Sequence, residues 1–385
     1  MITPAVPTSV VSRNSAAADE LRLFLQEALP AFEAEWGDDR GHQARLAWQR
    51  RLHAGGWVAP GWSIENGGRG LGVADRVACD LVLAELRAPT VAGVLGVNNV
   101  GPTLAAVGND EQKLSLPRIL SGEEIWCQGF SEPEAGSDLA GLRCQARLEG
   151  DTFIVNGQKV WTSQGVEATH CQLLVRTDNE AAKHKGISAL AIPLDLPGIE
   201  RRPLRQISGE ADFAEVFFQD VRVPVSCLLG PLHQGWAVTM TTLAHERAGV
   251  IMVAAHLEAE VTQLLASRRV DSAAEPTPPV LRDELLQRYV DARVLGLMGA
   301  DSLALAESGG TPGPAQSVIK LSWSLRSQEL AATRLALAGL DAVCGTTPDA
   351  ARSYLGARAT TIAGGTTEVM KNILAERVLG MPKGA

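Results

Sequence analysis

Trp126-Cys127-Gln128-Gly129-Phe130-Ser131-Glu132-Pro133-Glu134-Ala135-Gly136-Ser137-Asp138 is the stretch on which the reading of this chain turns. Before it the apolar period is helical: Leu21, Phe24, Leu25, Ala28 and Leu29 recur at spacings of three and four. After it the period changes to two, with Phe153 and Val155 alternating ahead of Asn156-Gly157, the strongest short hairpin signal. The stretch itself holds two serines, two glycines and a proline, so it reads as a turn-rich loop entering a sheet. Such a loop can aim backbone amides and hydroxyls at a flat heterocycle and at a diphosphate behind it. Taken by itself, it is equally well explained as a capped turn.

The blocks on either side extend this pattern. A helical N-terminal unit runs to about Leu120 and is interrupted from Pro60 to Gly72, where Trp62 and Gly67, Gly68, Gly70 and Gly72 predict a loop. The glycine spacing fits neither a P-loop nor a dinucleotide fingerprint, which leaves turn chemistry. From Glu123 to Leu232 further strands are expected at Cys171–Arg176, Gly186–Pro193 and Phe213–Pro224. Helical periodicity returns after Gly235, with breaks at Pro276–Pro279, Gly309–Pro314 and Thr346–Pro348. Helix, sheet and helix in blocks predict an α+β protein: an N-terminal helical domain (1–122), a middle β-domain (123–232) and a C-terminal helical bundle (233–385).

A chain of 385 residues exceeds one hydrophobic core, in keeping with several packed units. The net charge of -9, with no basic run, argues against nucleic acid or a membrane surface as partner. The N-terminus lacks a secretory pattern and no apolar stretch would cross a bilayer, so a cytoplasmic location is expected. Cys79, Cys127, Cys144, Cys171, Cys227 and Cys344 stand singly without metal spacing and read as buried thiols.

The loop at 126–138 closely resembles the signature of the acyl-CoA dehydrogenase family. Asn156-Gly157-Gln158-Lys159-Val160-Trp161-Thr162-Ser163 resembles that family's second β-domain motif, and Gly364-Gly365-Thr366-Thr367-Glu368 with Ala375–Gly380 its C-terminal one. The resemblance covers nearly the whole chain and implies a C-terminal four-helix bundle and FAD as cofactor. It places Phe130, Ser131, Gly136 and Ser137 against the flavin and its diphosphate, with Trp161 and Ser163 completing that wall. Thr366 and Glu368 match FAD contacts, although Thr366 also reads as a helix N-cap and Trp161 as core packing. Arg268 and Gly339 are what survives of two further FAD motifs: Arg268-Arg269-Val270-Asp271-Ser272 lacks an aromatic-glycine pair, and the glycine motif near Leu335–Leu340 is reduced to Ala338-Gly339.

The implied reaction removes a proton next to a thioester carbonyl while a hydride passes to flavin N5. Many family members place the catalytic Glu where this chain has Gly364; a minority place it on the first long helix of the C-terminal domain, where Glu246 stands. The resemblance thus implies Glu246 as base, the Gly364 amide as donor to the thioester carbonyl, and Arg247 as an orienting residue. An exposed helix glutamate paired with Arg247 is the plain alternative for Glu246. The substrate is expected to be acyl-CoA or an acyl carrier protein, with electron-transfer flavoprotein or a similar acceptor downstream. A branched, cyclic or bulky acyl group could use the space beside Gly364, and Arg201, Arg202 and Arg205 form a local basic patch for a carrier or a solvated edge. A homodimer, a homotetramer or a heteromer are the expected assemblies. Flavin-dependent oxygenation and a non-catalytic subunit of a heteromer remain as alternative readings.

Overall fold

The computed structural model describes residues 15–248, 250–270, 277–308, 310, 313, 315–345 and 348–382. The N-terminal helices are α1 (Ala16–Trp36), α2 (His42–Ala54), α3 (Val73–Glu85), α4 (Gly101–Val107), α5 (Asp110–Lys113) and α6 (Ser115–Ser121). Ser15 caps α1 by accepting the Ala18 amide at 3.0 Å. Leu21, Leu25 and Phe32 form the buried stripe of α1, and Phe32 meets Trp48 of α2 edge to face at 5.3 Å. The expected loop at 60–72 contains one 3-10 turn, Ile64–Asn66. A Cβ on Gly68 would stand 2.2 Å from the Trp62 carbonyl, so this glycine serves a close backbone approach.

The middle of the chain is one sheet of β1 (Trp126–Gly129), β2 (Gln145–Glu149), β3 (Thr152–Ser163), β4 (His170–Arg176), β5 (Ile187–Pro193), β6 (Ile199–Leu204), β7 (Phe213–Pro224) and β8 (Leu228–Leu229). The strand order is β6-β7-β3-β2-β4-β5-β8, and β1 pairs parallel with β4. β3 and β7 run antiparallel from Thr152 opposite Pro224 to Ser163 opposite Phe213. Phe153, Val155, Leu173, Leu190, Val216 and Val221 fill the core on one face.

Asn156-Gly157 is not a hairpin turn. The reversal between β2 and β3 lies at Gly150-Asp151, with Gly150 at φ 63°, while Asn156 and Gly157 sit inside β3 at a register shift. A Cβ on Gly157 would lie 2.7 Å from Cys144 Cα, and its φ of 147° suits glycine alone. Asn156 accepts the Asp220 amide and donates to its carboxylate, both at 2.9 Å. The dipeptide therefore builds a bulge, the other use of these residue types. β2 and the edge strand β6 also escaped the sequence reading. In β6 Arg201 donates to the Ala168 carbonyl at 2.7 Å, and Arg202 pairs with Glu200 at 2.7 Å, so two members of the expected basic patch are already engaged.

The last block comprises α7 (Gly235–Ala248), α8 (Val250–Val270), α9 (Pro279–Glu307), α10 (Ala315–Ala338), α11 (Leu340–Cys344), α12 (Pro348–Gly356) and α13 (Thr367–Arg377). Leu257, Val261, Ala292, Leu295, Ile319 and Leu330 join α8, α9 and α10 in one core, with α12 and α13 laid against α10. α7 instead packs on β5 and α4, and α3 packs on α8 through Val77, Leu81 and Ala255. At the three expected breaks, α9, α10 and α12 begin at Pro279, Ala315 and Pro348; residues 276, 309, 311, 312, 314, 346 and 347 lie outside the described residues. Four cysteines are buried, whereas Cys227 is half-buried and Cys344 exposed, which corrects the uniform expectation. Among the described residues no helix is long and apolar enough to cross a membrane.

Gly157→Ala is expected to cost roughly 2 kcal/mol, from a positive φ and a backbone clash together. Denaturant unfolding checks it: an unchanged midpoint would mean that the bulge tolerates a Cβ.

Candidate active site

β1 delivers the loop whose first residues, Phe130 and Ser131, are half-buried, while Gly136, Ser137 and Asp138 are exposed. Its anchor is Glu132. This carboxylate accepts the Arg143 amide at 2.6 Å on Oε2 and the Cys144 amide at 2.9 Å on Oε1. Oε1 also receives Lys159 Nζ at 2.7 Å. Lys159 is 0% exposed, and its ammonium donates a second bond to the Phe130 carbonyl at 3.0 Å. The Val160 amide donates to the Ser131 carbonyl at 3.0 Å, and Glu132 and Ala135 exchange backbone bonds at 3.1 and 3.0 Å. Neither Glu132 nor Lys159 was singled out from sequence. The signal was present: Lys159 shares the odd-numbered alternation of Phe153 and Val155, a core position that a lysine occupies only with a buried partner.

Beyond Lys159 the β3–β7 register shifts again, and Trp161 takes φ 57°, rare for a bulky residue. Its indole is 60% exposed and meets Phe213 edge-on at 5.9 Å. Trp161 is therefore not core packing. Ser163 follows at the end of the strand, half-buried. Phe130, Ser131, Trp161 and Ser163 thus share one neighbourhood, joined through the bond between Ser131 and Val160.

A second group sits on the C-terminal turn. A 3-10 helix, Ala357–Thr361, leads to Gly364 at φ 65° and Gly365 at φ 98°. Thr366 is the N-cap of α13, its side chain accepting the Val369 amide at 3.2 Å, and exposed Glu368 lies in the first turn, where a carboxylate suits the helix dipole. Lys320 of α10, also buried, donates to the Gly365 carbonyl at 2.8 Å and the Thr360 carbonyl at 3.0 Å. Among the described residues the Gly364 amide donates to no acceptor. Gly339, at φ 58° and exposed, ends α10 with its amide on the Leu335 carbonyl.

Glu246 and Arg247 belong to α7 and Arg268 to α8, but their side chains lie outside the described residues. Four residues before Glu246, the buried Thr242 hydroxyl accepts from Gln172 of β4 at 2.9 Å and lies 3.0 Å from that of Thr103 of α4. α7 is thereby tied to both other blocks. His245, next to Glu246, has its pKa lowered by burial and, secondarily, by the charge of Arg76. No described hydrogen bond or ion pair joins the group around the 126–138 loop to the Gly364 turn. A cavity of about 550 Å³ opens between Glu210 of the β6–β7 loop and His256, Glu260, Arg334 and Thr360 of the helical block; among the described residues, none of the candidates lines it.

Models of the three domains of acyl-CoA dehydrogenase match this chain in order: the N-terminal domain over residues 13–123, the middle domain over 127–221 and the C-terminal domain over 233–379. The chain belongs to the acyl-CoA dehydrogenase family. Acyl-CoA dehydrogenase IpdE1 of Mycobacterium tuberculosis is 40% identical over 359 residues, covering 91% of this chain and 92% of the relative. Among solved structures, the Tcur3481-Tcur3483 steroid ACAD superimposes with TM-score 0.83 at 28% identity, covering 97% of this chain and 100% of the other. The ChsE4-ChsE5 complex from Mycobacterium tuberculosis does so with TM-score 0.80 at 29% identity, covering 97% and 100%. This acyl-CoA dehydrogenase is accordingly an oxidoreductase acting on CH–CH bonds, with the family's FAD as cofactor.

The seam between the first and last blocks carries a titrating carboxyl. Burial pushes Asp80 of α3 from an ordinary 3.8 up to about 7, partly opposed by Arg76, and the His256 ring of α8 bonds the Asp80 main chain. Between these two values only the folded acyl-CoA dehydrogenase holds the proton, so this contribution to stability is present at low pH and is lost as pH rises through about 7. Asp80→Asn is expected to raise Tm by roughly 2–4 °C at pH 8 and by little at pH 4. Thermal scans at both values decide it: an equal shift at the two would exclude Asp80 as the titrating group.

Proposed function

We propose that this acyl-CoA dehydrogenase takes the α-proton of an acyl-CoA with Glu246 and holds the thioester carbonyl on the Gly364 amide, with Arg247 orienting the carboxylate. The observation that carries the reading is the division of labour between two elements. The turn that bears the base in many relatives offers only a glycine and an amide that donates to no acceptor among the described residues, while α7 bears Glu246. A carboxylate in a dry pocket is a stronger base, and a fixed amide acidifies the α-proton by stabilising charge on the carbonyl oxygen.

FAD supplies the hydride acceptor. In this reading Phe130, Ser131, Gly136 and Ser137, with Trp161 and Ser163, would hold the flavin and its diphosphate, and Thr366, Glu368, Arg268 and Gly339 would hold the rest of FAD. Two features support the fit: an exposed indole held at positive φ, and hydroxyls on either side of the Ser131–Val160 junction. A planar apolar surface bordered by donors suits an isoalloxazine. Electrons pass onward to an electron-transfer flavoprotein or a similar acceptor.

The substrate is a bulky, ring-bearing acyl group on coenzyme A. Support comes from the steroid named for the Tcur3481-Tcur3483 enzyme and from the missing side chain at Gly364. Engagement of Arg201 and Arg202 within the protein weighs against an acidic carrier protein. Anaerobic mixing with a panel of straight-chain and polycyclic acyl thioesters, on coenzyme A and on carrier protein, tests these assignments through bleaching of flavin absorbance. Glu246→Gln is expected to slow bleaching at least ~100-fold. Parental rates in that variant would remove Glu246 from the reaction, and preferential bleaching by straight chains would remove the bulky substrate.

The assembly is heteromeric in this reading, because Arg268–Ser272 lacks the aromatic-glycine pair and two similar structures are two-chain complexes by name. The chain purified alone is expected to carry less than one FAD per chain and to gain FAD when coexpressed with a companion acyl-CoA dehydrogenase chain. A homotetramer with a full complement of FAD contradicts this.

A further inference from the structure

We propose that Lys159 is a positioning residue for the flavin, whose buried ammonium turns the Phe130–Ser131 peptide so that the Ser131 amide faces the cofactor. In a planar trans peptide the C=O and the following N–H point from opposite edges. Lys159 Nζ holds the Phe130 carbonyl at 3.0 Å on the interior side, so the Ser131 N–H leaves on the other side. The next plane is fixed as well: the Ser131 carbonyl accepts from Val160, and the Glu132 amide returns to the Ala135 carbonyl. One peptide donor of the loop is thereby aimed away from the Lys159 ammonium.

A neutral donor could satisfy a carbonyl. An ammonium with 0% exposure requires a carboxylate beside it, and Glu132, itself 8% exposed, supplies one at 2.7 Å. Glu132 spends its other bonds on the amides of Arg143 and Cys144, at the threshold of β2. The pair thus references the loop to β2 and β3 together. An oriented amide dipole is then the local field that the cofactor meets from this side, which is how fixed peptide donors tune a redox group.

The proposal rests on the reading that Phe130 and Ser131 contact FAD. The test uses the FAD-loaded protein, with its companion chain if it needs one, and compares Lys159→Met with the double variant Lys159→Met/Glu132→Gln. Lys159→Met strands a buried carboxylate and is expected to lower Tm. The double variant is expected to recover Tm while the visible flavin circular dichroism and the midpoint potential stay shifted, with kcat down roughly tenfold and KM for acyl-CoA near the parental value. A double variant with parental flavin spectrum and potential, or one that does not fold, overturns the positioning role. A parental protein that binds no FAD overturns the flavin-loop reading and this proposal with it, so the two failures are distinguishable.

Discussion

A lysine ammonium and a glutamate carboxylate shut inside a β-sheet are the constraint around which the rest of the middle block is arranged. Withdrawing either charge from water costs several kcal/mol, and the pair persists only where geometry and further hydrogen bonds return that cost. Here they do: Lys159 serves Glu132 and the Phe130 carbonyl, and Glu132 receives two amides besides. Such a pair contributes little net stability over an apolar substitute, but removing one partner alone costs about 3–5 kcal/mol. What it secures is position. A turn-rich loop holding two glycines and a proline would otherwise sample many shapes, and three segments of the sheet now agree on one. Lys320 performs the matching task on the C-terminal turn, where it grips the Thr360 and Gly365 carbonyls.

The irregularities of β3 follow from what this strand must deliver. The bulge at Asn156-Gly157 and the shift between Lys159 and Thr162 break the simple alternation of the strand. Lys159 lies buried and Trp161, two residues on, exposed, which a flat strand of period two would not produce. The positive φ of Trp161 is the local strain that this re-aiming requires, of order 1–3 kcal/mol. The long β3–β7 ladder absorbs it.

Block organisation was legible because a change of period is a property of many residues at once. The strand at Phe213–Pro224 and the loop at 60–72 followed from the same reasoning, and Thr366 caps a helix as its residue type suggested. Asn156-Gly157 misled because positive φ and a missing Cβ serve a bulge as well as a turn. β6 was invisible since Glu200, Arg201, Arg202 and Pro203 carry no apolar alternation, as an edge strand permits. The buried lysines were missed for a different reason. The alternation of β3 places Lys159 inside, but its partners, the Glu132 carboxylate and the Phe130 carbonyl, and the Thr360 and Gly365 carbonyls that Lys320 holds, are remote in sequence, so no spacing rule names them. The loop at 126–138 was recognisable only as a family signature, because its turn residues are equally those of an ordinary capped loop.

Two elements define the reacting geometry in the proposed reading, and they are braced differently. α7 is pinned to the sheet and to α4 at the buried Thr242 junction, so a carboxylate on it is referenced to two rigid blocks. The Gly364 turn is referenced to α10 through Lys320. A base on the turn and an amide donor on the same turn would move together; a base on α7 and a donor on the turn can approach the thioester from separate supports. That separation removes a side chain from the turn and leaves the amide, which needs none, to hold the carbonyl. Room for a wide acyl group is then a consequence of where the base is mounted, because the volume that a glutamate would fill at 364 is exchanged for one on a helix already fixed in place.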